Sequence, residues 1–217
     1  KIVYIWGHLF LIYLLFHLKP MSNIVKPDFS INREVREQQK KQKGVVLWFT
    51  GLSASGKTTT ANELDKLLLQ NHNHSYILDG DVFRSGLSSD LSFDKKSREE
   101  NLRRIRHVAE LFCDAGIVTI VTFISPFESD RQKARTLLKE KYIEIFVKVS
   151  LGVAEKRDPK GLYKLAREGK ISNFTGISSP YEEPKNPEIE LNTELSSPKD
   201  CAQMVFDYLK NKKLIDW

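Results

Sequence analysis

Gly51-Leu52-Ser53-Ala54-Ser55-Gly56-Lys57-Thr58 reads G-x-x-x-x-G-K-[ST], the spacing of a phosphate-binding loop. In such a loop the glycines let backbone N–H groups turn inward around a phosphate, and the following helix adds its positive N-terminal end. Lys57 is placed to reach the terminal phosphates, and the Thr58 hydroxyl to hold Mg²⁺. The flanks suit the motif: the apolar run Val45-Val46-Leu47-Trp48-Phe49 predicts a buried strand, and Thr59 to Leu68 predicts a helix. These residues imply binding of a nucleoside triphosphate. A GTPase reading is weak, because no N-K-x-D guanine motif follows.

Other groups could serve the same anion. Asp79-Gly80-Asp81 closes a short predicted strand at Tyr76-Ile77-Leu78, and Arg84, Arg98, Arg103 and Arg104 follow. Guanidinium forks match phosphate and sulfate oxygens bidentately. Arg98 and Asn101, three apart, share a helix face. Salt bridges to Glu99 and Glu100 are an equal reading for Arg103 and Arg104, and less so for Arg84. Lys160, Lys164 and Arg167 recur at near-helical spacing; this is either a solvated face or a lid that closes positive charge over phosphates.

The elements that must position these groups alternate. Ser97-Arg98-Glu99-Glu100 has the form of a capping box and predicts a helix from Arg98, with Leu102, Ile105, Val108, Ala109 and Phe112 at helical spacing and Gly116 as the stop. Val118 to Ile124 predicts a strand covered on both faces. A helix from about Ser129 to Lys141 leads to a strand at Ile143 to Val149. A short basic helix lies around Leu162 to Glu168, within a lid at about 157–187. A strand at Ile189-Glu190-Leu191 and a helix from Asp200 to Asn211 complete the pattern. Alternating strands and helices imply an α/β fold of P-loop NTPase type: a parallel sheet with helices on both faces and a helical lid. Chemistry then belongs beyond the carboxyl ends of the strands, where the phosphate loop, Asp79-Gly80-Asp81 and Ser125-Pro126 all fall.

The chain of 217 residues suits one such domain, assigned here to residues 44–211, followed by a tail at 212–217. Its net charge of +6 is spread along the sequence. That fits an enzyme of polyanionic small molecules, and no zinc-finger spacing, RNA-binding aromatic signature or long basic run points to nucleic acid. Cys113 and Cys201 form no C-x-x-C, in keeping with a reduced, cytoplasmic protein. Residues 21–43 are polar, an exposed arm or short helix, with a solvated lead-in preferred. Residues 1–20 do not match the rest: Val3 to Leu18 is apolar apart from His8 and His17. Sixteen residues fall short of the ~20 that span a bilayer. Met21 is the expected start, with a signal anchor or a targeting presequence as the alternative and a membrane role disfavoured.

Several blocks together resemble the adenylylsulfate kinase family: Gly51–Thr58; Leu78-Asp79-Gly80-Asp81 with Arg84 and Gly86-Leu87; and Arg98-Glu99-Glu100-Asn101. Phe123-Ile124-Ser125-Pro126-Phe127 with Asp130-Arg131, Arg157 to Tyr163, Phe174-Thr175-Gly176-Ile177 and Ser179 to Glu182 extend the resemblance over about residues 44 to 210. It implies transfer of the ATP γ-phosphoryl group, with Mg²⁺, to the 3′-hydroxyl of adenosine 5′-phosphosulfate, and a homodimer. It places ATP on Gly51, Ser53, Ala54, Ser55, Gly56, Lys57, Thr58, Thr59 and Arg157. Thr58 and Asp79 would hold the metal. The sulfonucleotide would lie among Asp81, Arg84, Phe93, Arg98, Asn101, Ile124, Ser125, Lys160 and Phe174, with Lys57, Asp79 and Ser125 as the catalytic set. Phe93 and Phe174 would clamp a purine, although core packing is the alternative for each. Two departures are Val82, where an asparagine is common in the family, and Ser178, where an aspartate is common. Another small-molecule kinase on the same fold and a non-catalytic nucleotide-binding regulator remain as rivals.

Overall fold

The first strand, β1 (Val45–Thr50), is buried along its whole length, and its side chains alternate between two cores. Val45, Leu47 and Phe49 enter one, and Val46 and Trp48 the other, as the two-residue period of a strand dictates. It pairs in parallel with β3 (Val118–Thr122) on one side and β4 (Tyr142–Lys148) on the other. The outer strands are β2 (Ser75–Asp79), beside β3, and β5 (Ile189–Asn192), beside β4. Among the residues described by this computed structural model, Pro27 and residues 29–215, the sheet order is β2-β3-β1-β4-β5.

One face is covered by α2 (Lys57–Gln70) and α8 (Pro198–Asn211), through Ala61, Leu64 and Leu68 and through Cys201, Ala202, Val205, Phe206 and Leu209. The other is covered by α4 (Lys95–Asp114) and α5 (Glu128–Leu138), through Leu102, Ile105, Ala109 and Cys113 and through Ala134 and Leu138. Three- and four-residue steps put these side chains on one stripe of each helix. Each fully buried leucine or isoleucine stabilises the fold by about 1.5–3 kcal/mol. Beyond β4 come α6 (Leu151–Arg157) and α7 (Leu162–Arg167). These build the lid around its own small core of Val149, Ala154, Tyr163, Ala166 and Phe174.

The structure corrects several boundaries. Helix α4 starts at Lys95 rather than Arg98, because Asp94 caps it and accepts a hydrogen bond from the Ser97 N–H at 3.0 Å. Strand β3 stops at Thr122, two residues short of Ile124. Helix α5 gives way to a 3₁₀ turn over Lys139–Lys141. Short helices α3 (Gly80–Ser85) and α6 have too few residues to show a period in sequence.

Among the described residues before Gly44, the short helix is the reading that the structure has, exposed along most of its length but anchored at one side chain. Helix α1 (Arg33–Lys40) buries Glu37, whose carboxylate accepts from the Gly44 N–H at 3.0 Å and from Lys43 at 3.0 Å. Gln42 is fully buried and its amide donates to the carbonyls of His74 and Gly116. The chain beyond α8 returns here, with the Lys43 N–H donating to the Leu214 carbonyl at 2.7 Å.

The chain divides into two units, Lys1–Ser30 and Ile31–Trp217. Of the first, Phe29 and Ser30 are exposed. The apolar stretch from Val3 to Leu18 lies outside the described residues, as do the start-site and anchor readings that rest on it. No helix among the described residues is long and apolar enough to cross a membrane.

Candidate active site

The register aligns the carboxyl ends of three strands. Phe49 of β1 and Asp79 of β2 both lie opposite Thr122 of β3, so the phosphate loop and the acidic turn emerge side by side. Residues 51–56 connect β1 to α2. Gly51 has φ of +155°, and a Cβ there would meet the Val147 carbonyl oxygen at 2.5 Å, so only glycine fits. Gly56 caps α2 with φ of +98°, another conformation that side chains rarely take. Ser53, Ala54 and Ser55 form the arch between them, and Thr58 and Thr59 open α2 exposed to solvent.

Lys57 is buried, and its ammonium donates to the carbonyls of Gly51 at 2.9 Å and Leu52 at 2.7 Å. Burial lowers its pKa to about 7, against the opposing pull of Asp79 and Asp81. The group is therefore under-neutralised, and a polyphosphate is the partner that would complete it.

Asp79 is the centre of the acidic cluster. Its carboxylate accepts from the hydroxyls of Thr58 at 2.8 Å and Thr122 at 2.7 Å, and from the Asp81 N–H at 3.0 Å. Burial alone would raise its pKa, but hydrogen bonds from Thr122, Thr58 and the Asp81 and Val82 amides outweigh it and hold the carboxyl below its usual value. Thr58 Oγ1 and Asp79 Oδ2 are adjacent oxygen donors, the kind a hard Mg²⁺ takes alongside substrate phosphates. Asp81, the next carboxylate, is exposed and forms an ion pair with Lys160 of the lid.

The arginines divide. Arg84 stacks over the Phe93 ring with 4.4 Å from guanidinium carbon to centroid, and donates to the Ser92 carbonyl at 3.1 Å. Arg98 donates to the Phe93 carbonyl at 2.7 Å and, across to the lid, to the Asn173 carbonyl at 2.9 Å. Burial lowers the pKa of both, yet a guanidinium stays protonated. Arg103 and Arg104 are already engaged: Arg103 pairs with Glu100, and Arg104 with Glu100 and Asp90. Of their two readings, the structure selects the salt bridges.

Phe93 is 65% exposed, an aromatic face presented to solvent. Phe174 is buried instead, edge-to-face against Tyr163 at 4.9 Å, so most of its ring serves the lid core. Asn101 is also buried, and its Oδ1 has no hydrogen-bond partner. Ile124 is half-buried. Ser125 is 2% exposed with φ of +44°, and its Oγ accepts the Trp48 indole N–H at 3.0 Å. Arg157 does not touch the phosphate loop directly. It donates to the hydroxyl and carbonyl of Thr193, whose hydroxyl donates to the Ser55 carbonyl at 2.8 Å.

Thr122, Thr193 and Trp48 are site-forming residues that sequence reasoning missed. The one available signal was a polar residue at a strand end: Thr122 closes β3, and Thr193 directly follows the alternating strand β5.

Comparison with known proteins bears on this geometry. The pattern of the family described as Adenylylsulphate kinase matches residues 43–192. An adenylyl-sulfate kinase of Clostridium acetobutylicum is 51% identical over 91% of this chain and 98% of its own. One from Saccharomyces cerevisiae is 52% identical over 86% of this chain and 94% of its own. In three dimensions, the Mycobacterium tuberculosis APS kinase CysC in complex with AMPPNP and APS superposes with a TM-score of 0.75 at 44% identity, covering 78% of this chain and 99% of that one.

Proposed function

The chain belongs to the adenylylsulphate kinase family, and from that membership we propose how its site works: it moves the γ-phosphoryl group of ATP to the 3′-hydroxyl of adenosine 5′-phosphosulfate. The products are ADP and 3′-phosphoadenosine 5′-phosphosulfate, the activated form of sulfate. The observation that carries the reading is the juxtaposition of Lys57, Thr58 and Asp79 at the mouth of the phosphate loop, with the Asp81–Lys160 contact beside it.

Phosphoryl transfer is mostly positioning and charge neutralisation. The loop amides and Lys57 bind the β- and γ-phosphates, Lys57 exchanging its two carbonyl partners for phosphate oxygens. Thr58 and Asp79 would hold Mg²⁺, which when bound neutralises phosphate charge. Asp79, kept ionised by its hydrogen bonds, is a weak base, which suits it to orient the 3′-hydroxyl more than to store its proton. Arg84 and Arg98 face the phosphosulfate, and Phe93 offers its exposed ring to the purine. Lys160 contributes charge from the lid. Asn101 is the buried amide whose free oxygen a substrate donor would satisfy. Arg157 acts on the nucleotide side through Thr193. Ser125, tied to an indole that can donate but not accept a proton, supports the site by a hydrogen bond and is not a nucleophile.

The test is to mix purified protein with ATP, Mg²⁺ and adenosine 5′-phosphosulfate and to follow products by chromatography. Sulfonucleotide-dependent ADP release with a matching 3′-phosphorylated product is expected, and none with AMP or shikimate. ADP release that ignores the sulfonucleotide would overturn the reading. The homodimer that the resemblance implies is checked by sedimentation, as a species of twice the chain mass.

A further inference from the structure

Arg131, on α5, is almost completely buried at 1% exposure, and its guanidinium reaches three different parts of the fold. One arm donates to the Ser125 carbonyl at 2.8 Å. The other donates to the Glu182 carbonyl at 2.7 Å. Its Nε faces Glu144 of β4 at 2.8 Å, a carboxylate that is itself only 4% exposed and also receives Arg135 at 3.3 Å. A buried cation with a buried counterion is costly to desolvate, and such a pair is weak evidence for stability alone. What this one does is tie two loops together.

The first loop carries Ile124 and Ser125, the latter in the left-handed region at φ of +44°, which a serine holds only when its surroundings enforce it. The second is the return of the lid, Tyr181-Glu182, downstream of Phe174. It is docked beside the first by further contacts. The Glu182 N–H donates to the Pro126 carbonyl at 2.8 Å, and the Glu182 carboxylate accepts from the Glu128 N–H at 2.7 Å. The Tyr181 hydroxyl is hydrogen-bonded to that of Thr50 at 2.9 Å, and Thr50 in turn donates to the Ile124 carbonyl at 2.7 Å. The Tyr181 ring stacks on Phe146 with centroids 6.1 Å apart.

We propose that Arg131 is a positioning residue for phosphoryl transfer: it couples the returning end of the lid to the loop that presents Ile124 and Ser125 to the sulfonucleotide. A lysine could not replace it, because its single nitrogen cannot stand at the three separate positions from which the planar guanidinium donates to the Ser125 and Glu182 carbonyls and faces Glu144. The claim rests on the reaction assigned above, and reacting-centre geometry is where small misplacements cost rate.

Arg131→Lys tests it, keeping the charge beside Glu144 while removing the fork. The expected result is a kcat about ten- to a hundredfold lower, as loss of charge-assisted hydrogen bonds implies, with the KM for ATP changed by less than about twofold. Amide exchange at Glu182 should accelerate at least about tenfold, while the amides of β1 and β3 keep wild-type protection. A merely structural arginine would instead loosen β1 and β3 together with the loop, and that result, or a kcat within about twofold of wild type, overturns the proposal. Should Arg131→Lys not fold, Tyr181→Phe decides. It opens the same strap from the Thr50 side without touching the buried ion pair, and should lower kcat about two- to tenfold with faster exchange at Glu182. Wild-type values for both would refute the coupling. If the wild-type protein itself releases no ADP on addition of adenosine 5′-phosphosulfate, the reaction assignment fails by itself, because the exchange measurement needs no turnover.

Discussion

At the scale of single residues the site is organised by under-satisfied charge. Lys57 sits buried among carbonyls that neutralise it poorly, which is the state a polyphosphate relieves. Lys57→Ala should therefore cut turnover about a hundredfold or more, as loss of a charge-stabilising donor does, without lowering the melting temperature. More than about a tenth of the wild-type rate would contradict this role. Ser125 is the opposite case, a neutral hydroxyl already engaged by Trp48. Ser125→Ala should cost only about two- to tenfold in kcat, the worth of one neutral hydrogen bond. An essentially dead mutant, together with labelled enzyme from γ-labelled ATP, would instead make it a phosphorylated intermediate. The arginines give a paired test, since Arg98 reaches the lid whereas Arg103 is paired with Glu100. Arg98→Ala should raise the KM for the sulfonucleotide about ten- to a hundredfold, and Arg103→Ala should leave it within about twofold. Equal effects would remove the distinction drawn between them.

At the scale of elements, the helices are held in place by caps that the sequence displays unevenly. Ser197 caps α8, its hydroxyl accepting from the Asp200 N–H while Asp200 accepts in return from Ser197, with Pro198 at the first helical position. Replacing Ser197 by alanine should destabilise the protein by about 1 kcal/mol, or about 2–4 °C in melting temperature, with kcat unchanged because none of the residues assigned to the site lies on α8. A loss of rate at unchanged stability would mean that α8 reaches the site. The same logic applied to Ser97 misleads. Ser97-Arg98-Glu99-Glu100 has the letters of a cap, yet Asp94, three residues earlier, takes the position, and Ser97 becomes a first-turn residue hydrogen-bonded back to it at 2.7 Å. Both residues are good caps by type. Where the chain enters the helix decides between them, and that is set by the loop from α3.

The described residues form two sheet cores and a third, smaller core at the lid. That third core also packs on Leu52 and Ala54 of the phosphate loop, and Tyr181 stacks on Phe146 of β4, so the lid is joined to the loop and the sheet beside it. Both cysteines belong to the sheet cores: Cys113 is 1% exposed and Cys201 is fully buried. Burial pushes the Cys113 thiol up to about 12 and also raises that of Cys201. With both thiols buried and their ionisation disfavoured, iodoacetamide should leave both residues unmodified in the native protein and label both after denaturation. Rapid native labelling would show that the helices carrying them open readily.

The sequence by itself determined the phosphate loop, the alternation of strand and helix, and the acidic turn after β2, because each is written locally. A G-x-x-x-x-G-K-T string between an apolar run and a helix has few other physical solutions, and continuous β-branched stretches such as Val118 to Ile124 demand cover on both faces. Tertiary structure alone decided which polar groups converge. Thr122 meets Asp79 only through the β2–β3 register. Thr193 links Arg157 to Ser55 across residues far apart in the chain. The two readings left open for Arg103 were decided only by its pairing with Glu100, whereas Arg98 reaches Asn173 in the lid. Asp130-Arg131 enters the sequence reading only as part of the resemblance, and only the fold shows Arg131 buried between Ser125, Glu182 and Glu144. Local strings encode elements because backbone propensity and hydrophobic period are local. The partners of a polar side chain are set by strand order and loop return, which no short window contains.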